Sequence, residues 1–286
     1  MTNKKYSINS ILQFSFTFLL VSAFCFTFFP VWKNLINLWL NSDDYSHGFF
    51  IVPLALYIIW QKKDKLSALP IEGSWIGFLV SFLALLFFLI GYIGYIETLK
   101  SLSMILFIAG SIAFLFGFSI LKELMFPICI LLFMIPVPSQ IFAAATIHLQ
   151  LFVSAVSAHL VSILGVPLYR EGNVIHLPEQ TLQVVQACSG MRSLFSLLTL
   201  SAVFGYLTLR SNLLRTLLFC SGFPIAVFVN IIRVALLISF IHFLDIDLTK
   251  GTLHTVFGLG IFFLALALLF IIKELFIRWD SLSSTD

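Results

Sequence analysis

Three polar side chains suited to acyl-transfer chemistry lie in apolar surroundings in the C-terminal half of the sequence. Cys188 carries a thiol, Arg233 a permanent cation, and His254 an imidazole that exchanges protons near neutral pH. Together they offer a nucleophile, a donor to a developing oxyanion, and a general acid and base. An arginine inside an apolar segment costs at least ~2.5 kcal/mol on insertion scales, so Arg233 in particular indicates a function.

The neighbours of these residues fit the same chemistry. A hydrophobic segment begins just after Cys188, and we expect the thiol at or near the N-cap of its helix, where the dipole favours a thiolate. Arg192, four residues later, would then share the face of Cys188 and add a second favourable charge. Asn230 precedes Arg233 by three residues, so it shares the helix face of Arg233 and is placed to orient that side chain or a substrate.

The composition is that of an integral membrane protein. Hydrophobic residues make up 60% of the chain and charged residues only 10%, whereas soluble domains are nearer half apolar and a quarter charged. The net charge of +3 gives no indication of nucleic-acid binding. The first apolar run follows Lys4 and Lys5, and we expect a retained span because no small-residue cleavage site follows it.

Apolar runs of about 17 to 25 residues predict eight transmembrane helices in one membrane domain, 1–286, with flexible cytoplasmic ends at 1–9 and 279–286. Pro53 and Pro224 are expected to distort the second and seventh helices. The predicted spans are 10–29, 46–61, 75–96, 101–120, 123–140, 190–209, 215–243 and 253–273.

The segment 141–164 is long enough to span but carries His148, Gln150, His159 and several serines. Charge placement favours an interfacial or re-entrant helix. With eight spans, ten Lys and Arg side chains lie on the inner side and four on the outer side, which obeys the positive-inside rule. A ninth crossing would place the C-terminal cations outside. Both termini are therefore predicted to be cytoplasmic, and Cys188, Arg233 and His254 to lie at the outer side.

The only sizeable non-membrane element is predicted between residues 170 and 187. Two β-prone runs, Asn173–Leu177 and Thr181–Val185, flank Pro178-Glu179-Gln180, which is the pattern of a hairpin. In the eight-span topology this hairpin is extracytoplasmic, and its second strand leads directly to Cys188.

The motifs QACSGMRSL, NIIRV and HTVFG, in this order on successive membrane helices, resemble the exosortase/archaeosortase family of membrane cysteine transpeptidases. The stretch DYSHGFFIVP, residues 44–53, is similar to an N-terminal element of that family. One departure is Gln186, which stands two residues before Cys188 where many members have an acidic residue.

The resemblance implies roles for individual residues. It assigns Cys188 as the nucleophile, Arg233 as the arginine that stabilises the transition state, and His254 as the general acid and base. Ser189, Gly190, Arg192 and Asn230 match flanking positions of the motifs and would support the site. The candidate substrate contacts are Tyr45, His47 and Gln186.

The resemblance also implies the substrate and the location. The substrates would be exported surface proteins whose C-terminal signal combines a Pro-Glu-Pro-like motif, a membrane helix and a basic tail. Cleavage would pass through a thioester, and the acceptor nucleophile is not identified. The resemblance also implies a link to exopolysaccharide or biofilm export. We expect a multi-pass protein of the bacterial inner membrane with its active site facing the periplasm, bound to lipid and protein substrates.

Two other classes of function remain open on the residues alone. A transporter or flippase could use the same Cys, Arg and His side chains to line a polar pathway. A structural factor in polysaccharide export would need no chemistry. We expect no cofactor and no metal ion, because His47 with Asp43 and Asp44 is the only weak cluster of metal ligands and no HExxH or CxxC pattern occurs.

Overall fold

The computed structural model describes residues 18, 21–42, 44–178, 180–184, 190–249 and 251–282. The chain divides into two compact units, residues 1–136 and 137–286. Most of the described chain is helical, as the composition predicts.

The described residues of the N-terminal unit form the following helices and one 3-10 turn. Residues 21–27 are also helical and lead into the first of them. In chain order the elements are α1 (Phe29–Asn41), α2 (Gly48–Gln61), α3 (Lys63–Ser67), α4 (Trp75–Ile93), α5 (Glu97–Leu115), α6 (Phe118–Ile130) and the 3-10 turn Leu131–Met134.

Helix α2 lies antiparallel to α6 and its 3-10 continuation, and side chains join them at both ends. At one end, Glu123 accepts ion pairs from Lys62 at 3.1 Å and from Lys65 at 2.8 Å. At the other end, His47 Nε2 lies 3.2 Å from the carbonyl oxygen of Phe133.

Glycines allow α4 and α5 to pack with their backbones in contact. A Cβ added at Gly77 would lie 2.2 Å from the backbone nitrogen of Phe114, and one at Gly110 would lie 2.6 Å from Ser81 Oγ. Small residues at such contacts are typical of membrane helix pairs. Helices in lipid lack a hydrophobic driving force for association and depend on close packing instead.

The C-terminal unit contains four long helices and a small sheet. These elements are α7 (Ser139–Ile163), β1 (Tyr169–Glu171), β2 (Val174–His176), β3 (Thr181–Gln183), α8 (Met191–Thr208), α9 (Asn212–Leu244) and α10 (Gly251–Leu282).

The sheet is antiparallel in the order β1-β2-β3. The predicted hairpin is formed by β2 and β3, with Ile175 opposite Leu182, and β1 extends it by a third strand that the sequence analysis did not predict. Ile175 and Leu182 are buried and belong to a core cluster with Val161 of α7 and Ile238 of α9. The sheet is therefore anchored on the helices by its buried face.

Six described helices are long and apolar enough to cross a membrane, namely α4, α5, α7, α8, α9 and α10. The helix α2 is shorter and apolar, and both α2 and α9 continue through their prolines, Pro53 and Pro224. The predicted span 123–140 is instead α6, its 3-10 turn and an extended link. Half of the first predicted span lies outside the described residues. The chain is thus polytopic, and the count of eight spans stays a prediction.

The segment predicted as interfacial or re-entrant is one continuous helix, α7. Its buried face includes Gln150, Ser154 and Ser157, and the Ser157 hydroxyl donates to the carbonyl oxygen of Ile231 in α9 at 3.0 Å. Gln150, Ser154 and Ser157 therefore pack against the rest of the C-terminal unit, whereas His148 and His159 are exposed. Its length and composition would also suit a full crossing.

We predict that Gly77→Ala lowers the stability of the protein by about 1–3 kcal/mol, because a methyl group at the α4–α5 contact forces two backbones apart. The measurement is the thermal unfolding midpoint in detergent. The matched control is Gly260→Ala in α10, where an added Cβ meets nothing within 4 Å. The control should leave the midpoint unchanged or raise it, and an equal loss in both variants would contradict the packing argument.

Candidate active site

Arg233 of α9 and His254 of α10 form the centre of the polar cluster. Arg233 Nη2 lies 3.2 Å from His254 Nε2. Helices α9 and α10 pack against each other, and Arg233, roughly three turns before the end of α9, meets His254 in the first turn of α10. The structure therefore brings together two of the three side chains that the sequence analysis singled out.

The loop before α10 determines the tautomer of His254. His254 Nδ1 lies 3.2 Å from the carbonyl oxygen of Leu248, and a carbonyl can only accept, so Nδ1 carries the hydrogen. In the neutral ring Nε2 is then the acceptor for Arg233. Asp247 holds the loop in shape, since its Oδ1 accepts from both the backbone nitrogen and the hydroxyl of Thr249 at 2.9 and 2.5 Å.

Asn230 connects this pair to the start of α8. Asn230 is only 4% exposed and lies one helical turn before Arg233. A Cβ at Gly190 would lie 2.9 Å from Asn230 Cγ, so only glycine allows this approach. Gly190 also has φ of +82°, which disfavours any residue with a side chain. Glycine is therefore required at this position for two independent reasons.

A small polar cavity lies beside Arg233. Its volume is about 10 Å³, and Ser193, Asn230 and Arg233 contribute polar groups to its wall. The rest of the wall is apolar and comes from α9 and α10. The cavity has room for about one water molecule, which the three polar side chains could bind.

Helix α8 starts at Met191, with Gly190 in the left-handed region as its N-cap. The expectation that Cys188 lies near the N-cap and shares a helix face with Arg192 stays a prediction. Cys188 itself lies outside the described residues, as do Ser189 and Gln186. Arg192 is exposed on the first turn of α8.

The other predicted substrate contacts, Tyr45 and His47, belong to the N-terminal unit and have packing roles there. Tyr45 is buried. His47 lies against the Phe133 carbonyl, and burial lowers the pKa of its imidazole, although the carbonyls of Phe133 and Asp44 oppose that shift. A Cβ at Gly48 would lie 2.3 Å from the Trp39 ring. The contact of Tyr45 and His47 with substrate stays a prediction.

The sequence analysis missed two contributions to the cluster. The Leu248 carbonyl is a backbone group, and its only signal was the spacing of Asp247 and Thr249, which is typical of an Asx turn. Ser193 had no signal apart from its place one turn into α8. Among the described residues, no three His, Cys, Asp or Glu side chains are grouped to hold a metal ion.

The arrangement suits proton transfer beside a stabilised negative charge. An imidazole with a fixed tautomer can exchange a proton at Nε2, and a guanidinium at hydrogen-bonding distance can donate to an oxyanion that forms next to it. An apolar helical surrounding strengthens both interactions, because little water screens them.

Comparison with known protein families identifies the chain. Residues 39–271 match the family described as transmembrane exosortase (Exosortase_EpsH), and this range includes every residue of the polar cluster. No curated protein and no solved structure matches the chain significantly. Because the family match extends over most of the sequence, and across both structural units, the chain belongs to the transmembrane exosortase family.

Proposed function

We propose that this exosortase is a membrane cysteine transpeptidase or peptidase that removes the C-terminal sorting signal of exported surface proteins. The observation that carries the proposal is the Arg233–His254 contact at 3.2 Å, one helical turn from Asn230. Gly190 packs on Asn230 and follows Cys188 by only two residues in the sequence. Chain connectivity thus limits how far the thiol can lie from the pair.

The first chemical step is formation of the thioester. His254 Nε2 takes the proton of the Cys188 thiol, and the thiolate attacks the carbonyl carbon of the scissile peptide. A carbon–sulfur bond forms and the carbonyl electron pair moves to oxygen. Once Nε2 is protonated it no longer accepts from Arg233, so the guanidinium becomes available to donate to the new oxyanion.

The second step releases the membrane tail. The tetrahedral intermediate collapses, the carbon–nitrogen bond breaks, and His254 Nε2 gives its proton to the leaving amine. The upstream part of the substrate remains on Cys188 as a thioester. An amine acceptor, or water in a peptidase, then attacks this carbonyl, the carbon–sulfur bond breaks, and a proton returns to the thiol. The Leu248 carbonyl stabilises the imidazolium through Nδ1–H in both steps.

The proposed substrate follows from family membership and from the membrane location. It is an exported protein with a Pro-Glu-Pro-like motif, a transmembrane helix and a basic tail, and the cluster would face the periplasmic side of the bacterial inner membrane. The basic tail would remain in the cytoplasm, in agreement with the positive-inside rule. The link to exopolysaccharide or biofilm export belongs to the same proposal.

We predict that Cys188→Ala and Cys188→Ser both abolish processing of a co-expressed substrate that carries the signal. Alanine removes the nucleophile, and the hydroxyl of serine is not activated at this position as the thiol is. The measurement is the size shift of the substrate on immunoblots. Cys220→Ala, which removes an exposed free thiol of α9, is the control and should process normally. Processing by Cys188→Ala at the wild-type level would contradict a cysteine nucleophile at this position.

We predict that Arg233→Lys lowers kcat by about 10²–10³-fold. The lysine ammonium lacks the planar set of donors with which the guanidinium reaches both His254 and an oxyanion. Arg215→Lys, at the opposite end of α9, is the matched control and should stay near the wild-type rate. The readout is the initial rate of tail release in membranes. A rate for Arg233→Lys within a factor of three of the control would argue against a transition-state role.

We predict that the sheet faces the periplasm and the end of α10 faces the cytoplasm. Single cysteines at Glu171 and Ser281, both exposed, would be placed in a chain whose native cysteines are replaced by serine. A membrane-impermeant maleimide should label E171C in intact spheroplasts and S281C only after permeabilisation. The reverse pattern would invert the proposed topology.

A further inference from the structure

The residue just before the undescribed stretch 185–189 is held by an unusual pair of contacts. The backbone nitrogen of Val184 donates to the carbonyl oxygen of Asn173 at 2.9 Å. The side-chain amide of Asn173 in turn donates to the carbonyl oxygen of Val184 at 3.1 Å. Both hydrogen-bonding groups of Val184 are therefore held by one residue, and the Val184 side chain is buried.

Asn173 is itself tied to the helical part of the unit. It follows Gly172, whose φ of +62° suits the two-residue turn that joins β1 to β2. The hydroxyl of Ser154 in α7 donates to the Gly172 carbonyl at 3.2 Å. The Asn173 amide also approaches Oε1 of the buried Gln150 at 3.5 Å, a longer and weaker contact. The turn is thus connected to α7, which packs on α9.

The other end of the same stretch is also held. Gly190 packs against Asn230 of α9, at a distance that no larger residue would permit. The five residues 185–189, with Cys188 among them in the sequence, therefore connect two points that are each fixed to α7 or α9. A chain with both ends fixed has far fewer conformations than one fixed at a single end.

We propose that Asn173 is a positioning residue for Cys188, and this inference rests on the proposed function. It acts through Val184, whose backbone it holds with one acceptor and one donor, and it does not contact the substrate. Only a side chain with a hydrogen-bond donor, such as the amide of Asn173, can bind the Val184 carbonyl, because the carboxylate of an aspartate accepts but cannot donate. Loss of the donor leaves the upstream end of the stretch less constrained, so the thiol is less often placed beside Arg233 and His254.

The test compares Asn173→Asp and Asn173→Ala with the wild-type chain. Asp has the shape of Asn and keeps the turn, so Asn173→Asp tests the loss of the hydrogen-bond donor alone. We expect both variants to lower kcat for tail release about ten-fold, which corresponds to about 1.4 kcal/mol, while KM stays within two-fold. We also expect the pH profile of Cys188 alkylation by iodoacetamide to move upward, in a chain with Cys25, Cys129 and Cys220 replaced by alanine.

The matched control is Thr181→Val in the same sheet. It removes the contact of the Thr181 hydroxyl with His176 Nδ1 at 3.1 Å, which is exposed and leaves Val184 untouched. This variant should keep the wild-type kcat and alkylation profile, and thermal unfolding of all variants checks that the fold is retained. The proposal is overturned if Asn173→Asp behaves as wild type in both assays, or if Thr181→Val shows the same losses.

Failure of this inference is distinguishable from failure of the proposed function. Alkylation of Cys188 needs no substrate, so its pH profile reports on the Asn173–Val184 contact even if Cys188→Ala leaves processing intact. Intact processing by Cys188→Ala would overturn the proposed enzymatic function. Loss of processing in Cys188→Ala together with an unchanged Asn173→Asp would overturn only the positioning role.

Discussion

A guanidinium in an apolar helix requires partners, because the hydrocarbon offers no water to solvate its charge. The structure meets this requirement for Arg233 with residues from its own helix and from the two neighbouring helices. His254 of α10 lies 3.2 Å away, and Asn230 and Ser193 share a small polar cavity with the guanidinium. The same partners place a proton acceptor and an oxyanion donor side by side. The need to accommodate one charge thus shapes the site in which acyl transfer is proposed.

The surrounding structure restricts the motion of these groups at several points. The Leu248 carbonyl fixes the ring of His254, and Asp247 fixes the loop that carries this carbonyl. On the other side, Gly190 fits against Asn230, and Asn173 holds Val184. All of these contacts belong to the C-terminal unit, so the site is built from elements that pack directly on one another. Catalysis by positioned groups depends on such preorganisation, because a displaced group must be reordered before it can react.

Sequence patterns predicted the helical membrane fold, the β2–β3 hairpin, and the meeting of Arg233 with His254. These features depend on local composition and on the alternation of helices, which the order of residues expresses directly. The predicted span 190–209 also starts within one residue of α8, whose N-cap, Gly190, is in the left-handed region. The roles of Asn173 and of the Leu248 carbonyl were not predicted at all. They arise from contacts between a turn, a strand and a loop, and the backbone groups involved are the same in every residue type.

The central claim is that Cys188 forms a covalent acyl intermediate with the help of Arg233 and His254. The most direct measurement is mass spectrometry of the purified protein after reaction with a sorting-signal peptide that carries an electrophile at its scissile position. The account predicts a single adduct on Cys188, with no adduct on Cys25, Cys129 or Cys220, and much slower trapping when His254 is replaced by alanine. Modification of the other cysteines at the rate of Cys188, or trapping that does not depend on His254, would contradict it.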